Sequence, residues 1–233
     1  MNAHSFYFRS SWGGLGRLLA AALCGALPVR AAENPDVPPP AAERAAAAGL
    51  AQLAAQALAD RSAWYGLPAD ATPANLRLAP PWRQYELPPA AVLQADAAVS
   101  APEALFQPMD TWLFPVAGPG DPQALLVVER SAGEWRAAAI GRAGLGRELR
   151  RIRAQWPAAA GYHPRLVSSF QARRHLFTVP EADAPNLTPL AVSCDPQAAP
   201  ADYRKLEAPG PALEKLRPEV RANLAAFSGG GAP

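Results

Sequence analysis

Residues 111–156 read TWLFPVAGPGDPQALLVVERSAGEWRAAAIGRAGLGRELRRIRAQW, and this stretch decides the fold. Apolar and β-favouring residues fill 111–117, 123–130 and 135–141, and the turn-forming runs GPGDP and SAGE separate them. Three such runs joined by short turns predict consecutive antiparallel strands, with Gly133 in the left-handed position of a tight hairpin loop. The first part of the stretch therefore predicts a β-meander.

The end of the same stretch changes from strand to helix periodicity. Four apolar side chains recur at the spacing of one helical face: Leu145, Leu149, Ile152 and Trp156. This spacing predicts an amphipathic helix over 145–156. The opposite face carries Arg147, Arg150 and Arg151, which we expect to be exposed together.

Further strands are predicted on both sides of this stretch. Alternating or apolar runs occupy 82–87, 165–171, 175–179 and 187–193, and the turn 172–174 joins two of them. We therefore predict an α+β domain over 41–194, an antiparallel β-meander of about six to seven strands packed by one amphipathic helix.

Shorter helical signals accompany this domain. An Ala-rich run at 41–64 predicts an N-terminal helix, and Pro88 and Pro89 open a short one. Ser100 and Glu103 have the spacing of a capping box, which predicts another helix start.

The two ends of the chain have their own patterns. Residues 1–31 combine Arg9 and Arg17 with an apolar run at 18–29, which predicts a signal peptide cleaved after Ala31 and a periplasmic or secreted bacterial protein. An uncleaved N-terminal anchor is the alternative. Residues 32–40 (AENPDVPPP) predict a Pro-rich tether. Residues 195–233 predict a Pro/Ala-rich tail whose helix, interrupted at Pro218, docks either on the domain or on a partner.

Charge is unevenly distributed along the chain. The whole chain has 22 basic and 20 acidic residues, a balance that excludes a protein coating nucleic acid. Residues 135–174 nevertheless hold nine arginines and one acid, whereas 32–134 hold five arginines and twelve acids. Because guanidinium groups bind carboxylates and phosphates, we expect an anionic envelope component or protein to bind six arginines: Arg142, Arg147, Arg150, Arg151, Arg173 and Arg174. The alternative is that this basic block folds against the acidic first half.

No motif for catalysis, metal binding or a cofactor is present, so we predict none of these sites. The leading interpretation is a non-catalytic binding, scaffolding or inhibitory module. The alternative is a small exported hydrolase in which Cys194, Ser168 or Ser169 is activated by His163 or His175. No transmembrane span is predicted in the mature chain, and the sequence leaves the oligomeric state open.

Overall fold

The structure, a computed structural model, describes residues 36–60, 65–96, 98–193, 195 and 198–229. This part of the chain contains eight strands and four α-helices. In chain order they are α1 (Pro40–Asp60), β1 (Arg77–Leu78), β2 (Trp82–Glu86), α2 (Pro89–Gln94), β3 (Gln107–Ala117), β4 (Leu125–Ser131), β5 (Glu134–Gly141), α3 (Ala143–Gln155), β6 (Arg165–Ser169), β7 (Arg174–Thr178), β8 (Thr188–Pro189) and α4 (Pro209–Gly229). These residues belong to one compact unit, Asn34–Pro233. The predicted α+β class is confirmed.

The sheet is mostly antiparallel and has the order β5-β4-β3-β2-β6-β7-β8, with β1 paired to β3. It departs from a simple meander at its centre, where β2 and β6 run parallel. The reason is the connection: α3 follows β5 at one edge, and β6 then pairs with β2 rather than returning to β5. The predicted all-antiparallel meander is therefore corrected to two antiparallel halves joined by one parallel pair.

The predicted hairpin lies between β4 and β5. Ser131 pairs with Glu134, so the turn has two residues, and Ala132 and Gly133 have φ of 52° and 86°. Positive φ at both turn positions is typical of the hairpin turn whose twist matches that of the flanking strands. The expected left-handed conformation at Gly133 is confirmed.

Helices cover both faces of the sheet, and not one face as the single predicted amphipathic helix implied. Alternate residues of β3 divide between the faces, since Trp112 and Phe114 pack in a cluster with α1, whereas Leu113 packs with α3. In the other half, Val167 of β6 packs in a cluster with α2 and α4. Helix α4 thus packs on the domain through its apolar face.

Several local predictions need correction. Ala101, and not Ser100, caps the 3₁₀ helix Pro102–Leu105, and it makes no side-chain cap hydrogen bond. Helix α4 continues through Pro218 as one element. The strand predicted at 187–193 is reduced to the two residues of β8. The signal peptide, residues 32–35 of the tether and Cys194 lie outside the described residues.

Candidate functional site

A pocket of about 510 Å³ lies at the end of the central strands, where β2 and β6 begin and β3 ends. The end of α3 and the loop 156–164 complete its wall. Aromatic and arginine side chains dominate the lining: Trp82, Tyr85, Trp156, Tyr162, Arg83, Arg150, Arg153 and Arg165. Among the described residues that line the pocket, Asp36 is the one acid. The lining thus combines flat apolar surfaces with an excess of positive charge.

Prolines next to the aromatic residues shape this wall. The residue before a proline is disfavoured in helical conformation, so Pro157 ends α3 at Gln155 and leaves Trp156 at the pocket. Trp156 meets Tyr162 edge to face, with ring centroids 4.9 Å apart. The Trp156 indole N–H is satisfied, because it donates to the carbonyl of Tyr203 at 2.9 Å. This side of the pocket is therefore fixed by internal contacts.

Trp82 differs from Trp156 in one respect. Its side chain is buried, with 2% of the residue exposed, yet its indole Nε1–H has no hydrogen-bond partner among the described residues. A buried donor without an acceptor is unfavourable and rare in native proteins. The indole N–H of Trp82 is therefore a buried donor that no described residue satisfies.

Arg153 lies against the same tryptophan. Its guanidinium carbon is 4.4 Å from the Trp82 ring centroid, and its two terminal nitrogens donate to the carbonyls of Pro80 and Pro81. No carboxylate of the described residues lies within ion-pair distance of this partly buried cation. Burial lowers the pKa of Arg153 to about 10. The site thus holds a positive charge that the carbonyls and the indole face stabilise only in part.

The other pocket arginines are more fully occupied. Arg150 forms an ion pair with Asp121 and donates to the carbonyl of Pro122. Arg83 donates to the carbonyl of Met109 at 3.2 Å and lies over the ring of Trp112. Both side chains therefore contribute charge to the pocket while holding neighbouring strands and loops.

Asp36 joins Tyr85 and Arg165 in a small network at the pocket. The Tyr85 hydroxyl donates to Asp36 Oδ1 at 2.5 Å, and Arg165 Nε and Nη2 donate to Asp36 Oδ2 at 3.2 and 2.9 Å. Burial, together with the hydrogen bond to Asp36, raises the pKa of Tyr85 to about 12. The tyrosine hydroxyl therefore stays protonated and remains a hydrogen-bond donor throughout the physiological pH range.

The six arginines predicted to bind an anionic partner are dispersed. Arg147, Arg150 and Arg151 have side chains only 15%, 35% and 26% exposed, because each donates to protein oxygens. Arg147 binds the carbonyls of Ser193 and Asp195, and Arg151 binds the buried carboxylate of Glu148. These three arginines are thus not exposed together as expected.

The remaining predicted arginines lie at turns or on a strand. Arg142 and Arg173 are exposed and have φ of 58° and 51°. Arg174 begins β7 and donates to Glu219 of α4 through Nε and Nη2. Of the six, Arg150 alone lines the pocket.

The structure brings together one predicted serine–histidine pair. Ser168 Oγ lies 2.9 Å from His175 Nδ1 and accepts a hydrogen bond from Gln84 Nε2 at 2.9 Å. Burial and the charge of Arg142 lower the pKa of His175, so the imidazole is neutral at pH 7. However, Ser168 is only 1% exposed, and neither residue lines the pocket. Substrate therefore has no open path to this hydroxyl.

The other predicted catalytic residues have different surroundings. His163 lines the pocket, and Glu181 accepts from its backbone N–H at 2.9 Å and lies 3.1 Å from its Nδ1. Ser169 is buried, and its hydroxyl has no partner among the described residues. The structure thus pairs His163 with a carboxylate.

Metal-ligating residues do not converge in the described part of the chain: no group of three or more His, Cys, Asp or Glu side chains is placed to hold a metal ion. No helix of the described residues is long and apolar enough to cross a membrane.

Sequence reasoning missed the pocket, although two of its signals were visible. Arg150, Arg153 and Arg165 belong to the basic block 135–174. Aromatic residues also lie within two positions of a proline at three places, in Pro-Trp at 81–82, Trp-Pro at 156–157 and Tyr-His-Pro at 162–164. Such pairs place an aromatic ring where a helix or strand begins or ends.

Comparison of the chain with protein-family models, with curated proteins and with solved structures gave no match.

Proposed function

We propose that the chain is an exported, non-catalytic binding protein whose pocket takes a small organic anion with a flat apolar body. The export part of the proposal is supported by the basic and apolar pattern of residues 1–31. The binding part is supported by the pocket, whose volume of about 510 Å³ lies within the range of small-molecule sites.

The observation that carries the proposal is the pair Arg153 and Trp82. Arg153 is a partly buried cation without a carboxylate partner among the described residues, and its guanidinium lies over the ring of Trp82 in the pocket wall. Two of the five guanidinium N–H donors are used, which leaves donors for a ligand. An anion placed here gains a charge-assisted hydrogen bond in a site partly removed from water.

The aromatic lining selects the body of the ligand. Trp156 and Tyr162, which are partly exposed, offer flat surfaces, against which a planar apolar group buries more area than a polar one. The pocket and the six-arginine set predicted from the sequence share Arg150.

Isothermal titration calorimetry with 2-naphthoate and its neutral isostere 2-naphthamide tests the proposal. We expect the acid to bind more tightly than the amide, and we expect Arg153→Gln to weaken binding of the acid by about tenfold or more. Arg217→Gln is the matched control, because Arg217 also donates to two backbone carbonyls, those of Val92 and Ala95, outside the pocket. Equal affinities for acid and amide, or no binding of either, would overturn the proposal.

A second variant covers the case in which Arg153→Gln does not fold. Trp82→Phe keeps an aromatic ring in the wall and replaces the indole under the guanidinium of Arg153 by a ring that binds cations more weakly. We expect it to weaken 2-naphthoate binding by less than about tenfold and to keep the preference for the acid over the amide. Loss of that preference would contradict an anion contact made by Arg153.

A hydrolase is the second candidate, favoured by the 2.9 Å contact between Ser168 Oγ and His175 Nδ1. Its test is labelling of the folded protein with a fluorophosphonate probe, followed by mass spectrometry of the modified peptide. Because Ser168 is 1% exposed, we expect no modification of this residue. Labelling of Ser168 that disappears in His175→Gln would instead support the hydrolase.

A further inference from the structure

We propose that Arg165 and the Tyr85 hydroxyl form a carboxylate-binding subsite of the pocket, which Asp36 occupies as an internal ligand and which a carboxylate of the bound molecule takes by exchange. The inference rests on the proposed function, since it describes a second position for an acidic group in the same pocket.

The subsite already holds a carboxylate in the geometry that recognition requires. One oxygen of Asp36 accepts from the Tyr85 hydroxyl at 2.5 Å, and the other accepts from two nitrogens of Arg165 at 3.2 and 2.9 Å. The guanidinium carbon of Arg165 lies 5.7 Å from the centroid of the Tyr85 ring. Both carboxylate oxygens thus accept hydrogen bonds from charged or strongly polar donors, which is how proteins bind acidic ligands.

The Asp36 carboxylate lies within reach of solvent. The side chains of Asp36 and Arg165 are 31% and 29% exposed, so water reaches both partners, and a partly exposed ion pair contributes little net stability. Asp36 also lies outside the helices and strands, four residues before α1 begins, and its neighbour Val37 is 58% exposed. The carboxylate therefore belongs to a segment that adds little to the core.

Exchange also explains why a positively charged pocket contains one acid. Asp36 lines the pocket together with Arg153 and Arg165, although it lies 129 residues before Arg165 in the chain. An internal carboxylate keeps this arginine paired while the site is empty. An entering acid then replaces one ion pair with another, so charge is conserved at the subsite.

The experiment uses acetate as the probe, with the thermal unfolding midpoint as the measurement and sodium chloride at equal ionic strength as the reference. In Asp36→Ala the subsite has lost its internal ligand, so we expect acetate to raise the midpoint saturably, by about 2 °C or more, as binding to the folded state requires. Wild type and the double variant Asp36→Ala, Arg165→Gln are expected to respond equally to acetate and chloride.

Glu219→Ala is the matched control, because Glu219 accepts from Nε and Nη2 of Arg174 just as Asp36 does from Arg165, but without a tyrosine hydroxyl among its donors. We expect no saturable acetate effect in this variant. An equal effect in Glu219→Ala, or none in Asp36→Ala, overturns the proposal. If Asp36→Ala does not fold, Asp36→Asn is measured by the same criteria. Because acetate has no aromatic body, failure here leaves the 2-naphthoate result, and with it the proposed function, to be decided separately.

Discussion

Tyr203→Phe tests how the segment after residue 194 is held to the domain. The Tyr203 hydroxyl donates to Glu148 Oε2 of α3 at 2.6 Å and accepts from the backbone N–H of Ala191 at 3.1 Å. Tyr203 and Glu148 are each only 2% exposed, so water does not readily replace the lost hydroxyl. The substitution therefore removes two hydrogen bonds from one buried point.

The expected loss follows from these two contacts. A buried hydrogen bond to a charged acceptor contributes about 1.5–3 kcal/mol, whereas Ala191 is exposed, so water can replace the lost acceptor of its N–H. Glu148 keeps its contact with Arg151 at 2.6 Å, which limits the damage. The ring stays in place against Phe177, at a centroid distance of 5.2 Å. We expect the free energy of unfolding to fall by about 1.5–3 kcal/mol.

Equilibrium unfolding in urea, followed by circular dichroism, measures this change. Tyr65→Phe is the control, because the Tyr65 hydroxyl also donates to a carboxylate, Asp60 at 3.2 Å, but in an exposed position. We expect no measurable loss in the control. If Tyr203→Phe is no less stable than Tyr65→Phe, the Tyr203–Glu148 contact does not anchor this segment and the reasoning is wrong.

Three further predictions concern stability. Lowering the pH below about 6.5 should destabilise the wild type more than His175→Gln. The pKa of His175 is lowered in the folded protein, so on acidification the unfolded chain binds a proton before the folded one does. Parallel pH profiles of the unfolding free energy for the two proteins would refute this. Gly146→Ala should lower the urea midpoint, although alanine favours helices, because its Cβ would lie 2.0 Å from the carbonyl oxygen of Gln123; a raised midpoint would contradict the close approach. Asn186→Ala should lower the free energy of unfolding in urea by about 2–4 kcal/mol. The buried amide of Asn186 accepts from the Val179 N–H at 2.8 Å and donates to the Val179 carbonyl at 2.9 Å, and both hydrogen bonds are lost. A loss below about 1 kcal/mol would count against this assignment.

The sequence predicts those elements whose signal is local. The spacing of Leu145, Leu149 and Ile152 placed α3 within two residues of its observed bounds, because all three side chains are buried on one face. Gly133 located the hairpin because the positive φ of a two-residue turn is a local property of the turn itself. The parallel pairing of β2 with β6 has no local signal, since it depends on how α3 packs on the sheet.

The candidate site shows the same limit. Arg150, Arg153 and Arg165 all belong to the basic block, but only Arg150 was among the arginines predicted to bind an anion. The partners of Arg150 and Arg153 include the carbonyls of Pro122 and Pro80, which no sequence pattern reveals. Burial of the arginines on α3 follows from these acceptors and not from helix periodicity. Likewise, Ser100 and Glu103 have capping-box spacing, yet Glu103 accepts from the Thr178 hydroxyl at 3.2 Å instead.

The parallel pair at the centre of the sheet has a consequence for the order of folding. Gln84 of β2 pairs with Leu166 of β6, so this ladder closes a loop of about eighty residues. Closing so long a loop slows folding, and until β6 arrives one edge of β2 presents unpaired backbone groups to other chains. In a chain shortened before residue 165, β2 therefore becomes an edge strand, and we expect this edge to favour pairing with other chains. The strands β6, β7 and β8 complete the sheet, and the folding rate depends on their pairing.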